Sequence, residues 1–251
     1  MGRRMTGWNR GHRGSVSCTP IDFSSRSCRF PRASRAVIER QPCRFPAGAC
    51  SLLVFPECRA GESTVPMISN EDLPDGIRIQ PLTPHADDRG VFTEIFREEW
   101  SIGCAAVQWN AVHSVAGVLR GVHVHATHHD YLVVLSGVMV LGLHDIRPSS
   151  PTRGCSRLLT LEAAAPRAIT IPPGICHGFY FPVASLHVYA VSAYWNPQDE
   201  LGCRFDCQEL ELAWPTGSPR LSARDRMAGS YLQMCEAYRA RHDALASGAS
   251  R

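Results

Sequence analysis

The sequence contains no lysine, so every basic side chain is an arginine and no catalytic lysine is available. It has no unbroken run of 18 apolar residues, which is about the length that a membrane-spanning helix requires. The 11 cysteines show neither a CxxC pair nor the spacing of a zinc site, which favours reduced thiols in a cytoplasmic protein. A glycine-rich phosphate loop and a Gly-x-Ser-x-Gly turn are also missing.

The first 66 residues differ in composition from the rest of the chain. They hold 11 arginines and only four acidic residues, and they show no helical or strand periodicity. Such a composition is typical of a transit peptide or of a basic nucleic-acid-binding arm. Because no period is present, we favour a disordered basic extension, one that need not belong to the native protein. Met67 then begins a single folded domain over residues 67–251.

From Met67 onward the chain is predicted to form many short strands, separated by glycine and proline turns and without helical segments between them. This pattern indicates an antiparallel sandwich or barrel. Residues 227–246 carry apolar side chains at helical spacing, which predicts a C-terminal helix packed on the barrel. The predicted strands are residues 77–82, 91–96, 105–109, 118–124, 131–135, 138–144, 156–161, 168–171, 178–181 and 187–194.

Two histidines stand close together in one of these strands. His123 and His125 are two residues apart among apolar and β-branched residues, so both imidazoles are predicted to lie on the same face. Asp130 follows five residues later. Two imidazoles and a carboxylate on one wall suit either a metal site or an acid–base site, and the spacing alone leaves both open.

Two motifs around these residues resemble those of the cupin superfamily. Gly117-x5-His123-x-His125-x4-Asp130-x6-Gly137 resembles the first cupin motif, with aspartate in place of the usual glutamate. Pro172-Pro-Gly174-x-x-His177 resembles the second, with Phe181 where an asparagine is usual. The resemblance implies an all-β fold, the double-stranded β-helix or jelly-roll barrel, with both motifs opening into its interior.

Residues 70–225 are also similar to the dTDP-4-dehydrorhamnose 3,5-epimerase family within the cupins. The segments that carry the resemblance follow one another in the family's order: Asp88-Arg89-Gly90-x-Phe92-x-Glu94, Gln108-x-Asn110, Val118-Leu-Arg120-Gly121-Val-His123, Asp145-Ile-Arg147 with Ser150-Pro-Thr152-x-Gly154, Ile171-Pro-Pro-Gly174 with His177-Gly-Phe179, Tyr189, Tyr194-Trp195, Pro197, Trp214-Pro215 and Leu221-Ser-Ala-Arg-Asp225.

The epimerase resemblance implies proton abstraction beside a ketone and reprotonation on the opposite face, at C3 and C5 of a nucleotide-linked 4-keto-6-deoxy hexose. It assigns the base to His123, the carboxylate partner of this base to Asp225 and the proton donor to Tyr189. It implies no cofactor and a homodimer formed through residues 77–96, with neither a nucleic acid nor a membrane as partner. The substrate-binding residues that it implies are Arg89, Glu94 (towards the thymine), Gln108, Asn110, Arg120, His177 and Trp195.

Strand geometry conflicts with one pair of these assignments. Arg120 and His123 are three residues apart, so a regular strand would direct them to opposite faces. We therefore predict a β-bulge at Gly121 that brings both side chains to one side.

The chain also departs from the family. Asp130 stands where the family has an enolate-stabilising lysine, and the family lacks His125. This leaves two alternatives open: a metal-dependent cupin isomerase or dioxygenase, with a divalent metal on His123, His125, Asp130 and His177, and a non-catalytic cupin that binds sugar nucleotides. The metal alternative would remove His123 as a base.

Overall fold

The computed structural model describes residues 73–100 and 105–248, which form twelve strands and two α-helices. Residues 1–66 lie outside the described residues, so the basic extension and the domain boundary at Met67 remain predictions. The predicted all-β fold with a C-terminal helix is confirmed. The elements are β1 (Arg78–Pro81), β2 (Pro84–Asp87), β3 (Gly90–Thr93), β4 (Gln108–Ser114), β5 (Val118–Val124), β6 (Asp130–Ser136), β7 (Val138–Asp145), β8 (Ser156–Glu162), β9 (Arg167–Ile171), β10 (Ile175–Phe181), β11 (Ser185–Val191), β12 (Leu201–Gly202), α1 (Ala223–Arg226) and α2 (Tyr231–Gly248).

The strands form two five-stranded antiparallel sheets. The first sheet has the order β1-β9-β6-β11-β4, and the second has the order β12-β5-β10-β7-β8. Between β5 and β11 the chain passes repeatedly from one sheet to the other, as it does in a jelly roll. Strands β2 and β3 form a separate hairpin.

The core lies between the two sheets. Leu132 and Ile169 of the first sheet pack with Leu141, Leu143 and Phe181 of the second, and all five side chains are fully buried. Side chains alternate across a strand, so the inward residues of both sheets can interdigitate in this way. Along β6 the same inward row begins with a polar residue, Asp130, before it continues with Leu132.

Helix α2 packs on the outer face of the second sheet. Met234 and Tyr238 of the helix are buried against Val122 and Val124 of β5. Because neighbouring side chains on a strand point to opposite faces, burying these two valines under α2 turns His123, which lies between them, towards the interior. Neither helix of the described residues has the length and apolar character needed to cross a membrane.

The helix predicted over residues 227–246 begins four residues later, at Tyr231. Met227 instead ends the short helix α1 and is exposed. The reason is a capping box: the Ser230 hydroxyl accepts from the Gln233 backbone N–H, and the Gln233 side chain accepts from the Ser230 N–H. These reciprocal bonds fix the start of α2.

The predicted bulge at Gly121 is confirmed by the strand register. His177 of β10 lies opposite His123, but Phe179 lies opposite Arg120, so β5 holds one residue more than β10 over this interval. Gly121 has φ 117°, and a Cβ added there would lie 2.8 Å from the carbonyl oxygen of His177. Only glycine fits this position, and as a result Arg120 and His123 both face the same cavity.

The segment after β7 has a structural role. Asp145 is buried at the end of β7, and its carboxylate accepts hydrogen bonds from Arg147, Ser150 and Thr152, with 2.7 Å to Arg147 Nη2 and to Thr152 Oγ1. Burial alone would raise the pKa of Asp145, but these donors outweigh it and lower the pKa to about 2. The family-like segment 145–154 therefore stabilises the β7–β8 connection and contributes nothing to the lining of the cavity.

Candidate active site

A cavity of about 360 Å³ lies between the two sheets. Residues of β4, β6 and β11 line it from the first sheet, residues of β5 and β10 from the second, and α1 closes one side. Of the residues predicted from the sequence, those that line it are His123, His125, Asp130, Asp225, Tyr189, Asn110, Arg120, His177 and Trp195.

The centre of the cavity wall is a histidine–aspartate pair. His123 Nε2 lies 2.8 Å from Asp225 Oδ1, although the two residues are 102 positions apart. Ser222 caps α1 by accepting from the backbone N–H of Asp225, which fixes Asp225 in the first turn. Burial of the Asp225 carboxyl opposes its ionisation, but the hydrogen bond from His123 and the nearby cationic groups lower its pKa below the ordinary value.

The tautomer of His123 follows from these contacts. Arg224 Nη2 also lies 2.5 Å from His123 Nε2, and one nitrogen cannot donate to Asp225 and accept from Arg224 together. Asp225 is the stronger partner because its carboxylate is ionised, whereas Arg224 has an alternative acceptor in Glu200, at 3.0 Å. With its proton on Nε2, a neutral His123 has its free electron pair on Nδ1, which can act as a base.

Tyr189 stands on the opposite wall. It belongs to β11 of the first sheet, whereas His123 belongs to β5 of the second, and both line the cavity. Burial, together with the carboxylates of Asp130 and Glu200, raises the pKa of Tyr189 above its ordinary value. The phenol therefore keeps its proton at neutral pH and can donate it.

Three further polar residues form a second group in the cavity wall. His125 Nε2 and His177 Nε2 lie 3.7 Å and 3.8 Å from Asp130 Oδ2. Burial, aided by the neighbouring histidines, lowers the pKa of His125 to about 3 and that of His177 well below its usual value. Burial raises the pKa of Asp130, as do Glu200 and Asp199. Among the described residues, the side chains that lie close enough together to hold a metal ion do not include His123. The four-residue metal site predicted from the sequence did include it.

Arg89 and Glu94 do not line the cavity. Arg89 lies at the turn of the β2–β3 hairpin and pairs with Asp87, while Glu94 follows β3 and pairs with Arg97. Gln108 lies one layer behind the wall: its side chain donates to Asn110 and accepts from the backbone N–H of Trp195. Gln108 thus orients two lining residues and does not itself line the cavity.

Sequence reasoning missed several lining residues. Arg224 and Glu200 pair with each other beside His123. Arg224 lies in the family-like segment Leu221–Asp225 but was given no role, and no motif marked Glu200. His187 could have been found, because it lies two residues before Tyr189 on the same strand and therefore on the same face. Its Nδ1 atom is buried and has no hydrogen-bond partner among the described residues.

A jelly-roll barrel with a histidine–aspartate pair facing a tyrosine across an arginine-lined cavity defines a cupin-type enzyme built for proton transfer. Comparison with known proteins gives the particular family. Residues 70–233 match the sequence profile of the dTDP-4-dehydrorhamnose 3,5-epimerase family, and the chain belongs to that family.

Individual relatives agree with this assignment. The chain is 35% identical to a dTDP-4-dehydrorhamnose 3-epimerase of Streptomyces niveus over 159 residues, 59% of this chain and 76% of that protein. It is 34% identical to a dTDP-4-dehydrorhamnose 3,5-epimerase of Mycobacterium tuberculosis, over 64% of this chain and 85% of the relative. The crystal structure of dTDP-6-deoxy-D-glucose-3,5-epimerase from Legionella pneumophila, in complex with dTDP-4-keto-L-rhamnose, superimposes with a TM-score of 0.58 at 31% identity, covering 62% of this chain and 88% of that one. These similarities favour the epimerase over the two alternative functions.

Proposed function

We propose that the protein is a sugar-nucleotide isomerase that epimerises a dTDP-linked 4-keto-6-deoxy hexose, converting dTDP-4-dehydro-6-deoxyglucose to dTDP-4-dehydrorhamnose. The observation that carries the proposal is the His123–Asp225 pair on one wall of the cavity with Tyr189 on the opposite wall. Inverting a carbon beside a ketone requires a base on one face and an acid on the other.

In the proposed reaction, His123 Nδ1 removes the proton from the carbon next to the C4 ketone, and the electron pair moves onto the ketone oxygen as an enolate. Asp225 stabilises the imidazolium that results, since its carboxylate lies 2.8 Å from Nε2. Tyr189 then gives its proton to the opposite face of the same carbon. The tyrosinate is reprotonated and His123 loses its proton, so the reaction only moves protons and requires no cofactor.

Arg120 and Asn110 are proposed to hold the nucleotide part of the substrate. Both line the cavity, and a guanidinium can donate to two oxygens of a diphosphate together. Trp195 is half exposed at the cavity and offers a flat apolar face, while Gln108 fixes the position of Asn110 and of the Trp195 backbone. His177 is proposed to border the sugar part.

We also propose a homodimer in which the β2–β3 hairpin contributes to the interface. The exposed fractions of Val91 and Phe92 on β3 are 68% and 64%, a large apolar exposure for two adjacent residues. Arg89 and Glu94 belong to this region and do not line the cavity of their own chain. Their predicted contacts with the nucleotide would therefore be made to the substrate of a second copy.

Sedimentation at micromolar concentration checks the dimer. We expect a two-fold dimer for the wild type and a shift to monomer for Phe92→Asp, because a charge in an apolar interface would be left without water. Leu232→Asp is the matched control, since Leu232 is similarly exposed but lies on α2. A monomeric wild type would contradict the proposal.

The cysteines of the described residues, Cys155, Cys176, Cys203, Cys207 and Cys235, are free thiols. Free thiols persist in a reducing compartment, so this observation supports a proposed cytoplasmic location. The proposed cytoplasmic location agrees with the proposed substrate, a nucleotide-linked sugar.

Tyr189→Phe tests the proposed function directly. We expect this variant to exchange the substrate's C5 proton with deuterated water, because His123 remains, and to lose epimerisation by a factor of about 10² or more, because the opposite-face donor is gone. Nuclear magnetic resonance of the same sample measures both rates, and Tyr194→Phe, which alters a tyrosine 77% exposed, is the control. Equal loss of exchange and epimerisation would refute the role of Tyr189, and a wild type inactive on keto-sugar nucleotides would refute the function.

A further inference from the structure

His187 is a buried histidine in the cavity wall that has no part in the reaction described above. It lies two residues before Tyr189 on β11, so the two side chains share the inward face of that strand. Only 2% of His187 is exposed, yet it lines the cavity. Its Nδ1 atom is enclosed and has no hydrogen-bond partner among the described residues. Because buried polar side chains are almost always hydrogen-bonded, this histidine requires an explanation.

The surroundings of His187 are those of an apolar aromatic residue. Its ring stacks on Phe181, with the centroids 5.3 Å apart and the planes at 20°. The rings of Phe179 and Tyr189 lie 5.8 Å and 6.1 Å away. A phenylalanine would make the same kind of ring contacts without leaving a buried nitrogen unpaired. What the imidazole adds at this position is a polar atom in the wall of the cavity.

The enclosed Nδ1 atom determines which ring nitrogen carries the proton. Burial, aided by the charge of Arg120, lowers the pKa of His187 to about 4, so the ring is neutral near pH 7 and holds one N–H group. On Nδ1 this group would be a buried donor without an acceptor, which folded proteins avoid more strictly than an unpaired acceptor. The proton therefore belongs on Nε2, which is not enclosed without a partner as Nδ1 is. Nε2–H is thus a donor for a ligand in the cavity.

The position of His187 in the wall indicates which part of the substrate it meets. On one side lies Tyr189, the proposed proton donor to the inverted carbon. On the other side lies Arg120, which is proposed to hold the diphosphate. Arg120 is paired across the β5–β10 ladder with Phe179, whose ring contacts His187. A substrate atom next to His187 would therefore lie between the diphosphate and the inverted carbon.

We infer that His187 Nε2–H donates a hydrogen bond to the C2 hydroxyl of the hexose and selects substrates that carry this hydroxyl. The inference rests on the proposed function. In the proposed substrate C1 carries the diphosphate, and the inverted carbons C3 and C5 flank the ketone. The atoms between C1 and these carbons are C2 and the ring oxygen, and of the two only C2 bears a hydroxyl that projects from the ring. A site that binds a hydroxyl in this way rejects the analogue without it, because its own polar group is then left unpaired.

Binding of two sugar nucleotides that do not react tests the inference without catalysis. The two compounds are dTDP-6-deoxyglucose, which has a C4 hydroxyl in place of the ketone, and its 2-deoxy analogue. We expect calorimetry on the full-length wild type to show at least about tenfold tighter binding of the 2-hydroxy compound. His187→Phe is expected to reduce this preference to about twofold or less, because its ring has no N–H group. His187→Gln should retain part of the preference, since its amide supplies a donor.

His113→Phe is the matched control, because His113 is an exposed histidine on β4 that does not line the cavity. It should keep the wild-type preference. Circular dichroism establishes that each variant is folded, and if His187→Phe fails to fold, the smaller substitution His187→Leu decides. A purely structural role for His187 predicts a lower melting temperature in these variants with the preference unchanged.

The outcomes separate this inference from the proposed function. Equal affinity of the wild type for the two compounds, no binding of either, or an unchanged preference in a folded His187→Phe or His187→Leu variant would each overturn the inference. Epimerisation of dTDP-4-dehydro-6-deoxyglucose by the same wild-type sample is measured alongside. A protein that prefers the 2-hydroxy compound but does not epimerise the keto sugar would refute the proposed function alone.

Discussion

Replacing His123 by asparagine is expected to abolish measurable exchange of the substrate's C5 proton with deuterated water, a loss of about 10⁴, while affinity for dTDP stays nearly unchanged. His123 Nδ1 is the proposed base, and an asparagine amide cannot take its place near neutral pH. The nucleotide is proposed to be held elsewhere, by Arg120 and Asn110, so its binding does not depend on the imidazole.

Exchange followed by nuclear magnetic resonance and dTDP binding followed by calorimetry give the two readouts. His113→Asn is the matched control, because His113 is an exposed histidine on β4 that does not line the cavity. If His123→Asn retains exchange, another residue is the base. If instead it loses dTDP binding to the same extent as exchange, the side chain serves substrate binding and the assignment of roles is wrong.

Replacing Asp225 by asparagine is expected to slow the same exchange by about a thousandfold or more. The carboxylate accepts from His123 Nε2 at 2.8 Å and thereby keeps the free electron pair on Nδ1. An amide in its place can donate to Nε2, which favours the opposite tautomer, and it carries no charge to stabilise the imidazolium. The loss is smaller than for His123 because the imidazole remains.

Single-turnover exchange rates measure this effect, with Asp206→Asn as the control, because Asp206 is an exposed aspartate that pairs with Arg204 on the surface. The KM for the substrate should change much less than kcat, since Asp225 acts through His123. An exchange rate within tenfold of the wild type would show that the pair seen in the structure does not activate the base.

Much of the strand pattern was predictable because it depends on local alternation. Strand β5 was placed at its observed bounds, and the conflict between Arg120 and His123 predicted the bulge at Gly121. Strand β4 was predicted over residues 105–109 but spans Gln108–Ser114. Its inward positions include the polar residues Gln108 and Asn110, which lie at or behind the cavity wall, so the usual alternation of apolar and polar residues is obscured.

The composition of the site was less predictable, because spacing along a strand gives the face of a side chain and not its partner. The sequence placed His123 and His125 on one wall, but it could not show that Asp225 would engage one and Asp130 approach the other. For the same reason Arg224 and Glu200 were missed: their importance comes from contact with each other beside His123. The resemblance to the family supplied Asp225 and Tyr189, which local pattern alone would have left as ordinary residues.

The placement of Asp225 on α1 has a consequence for protein synthesis. All twelve described strands are complete once the ribosome has translated Gly202, yet the carboxylate that orients His123 arrives only with residue 225. A nascent chain that stops between these points contains the residues of both sheets but only one member of the histidine–aspartate pair. The histidine–aspartate pair can therefore form only in chains whose translation has continued past the last strand of the barrel to residue 225.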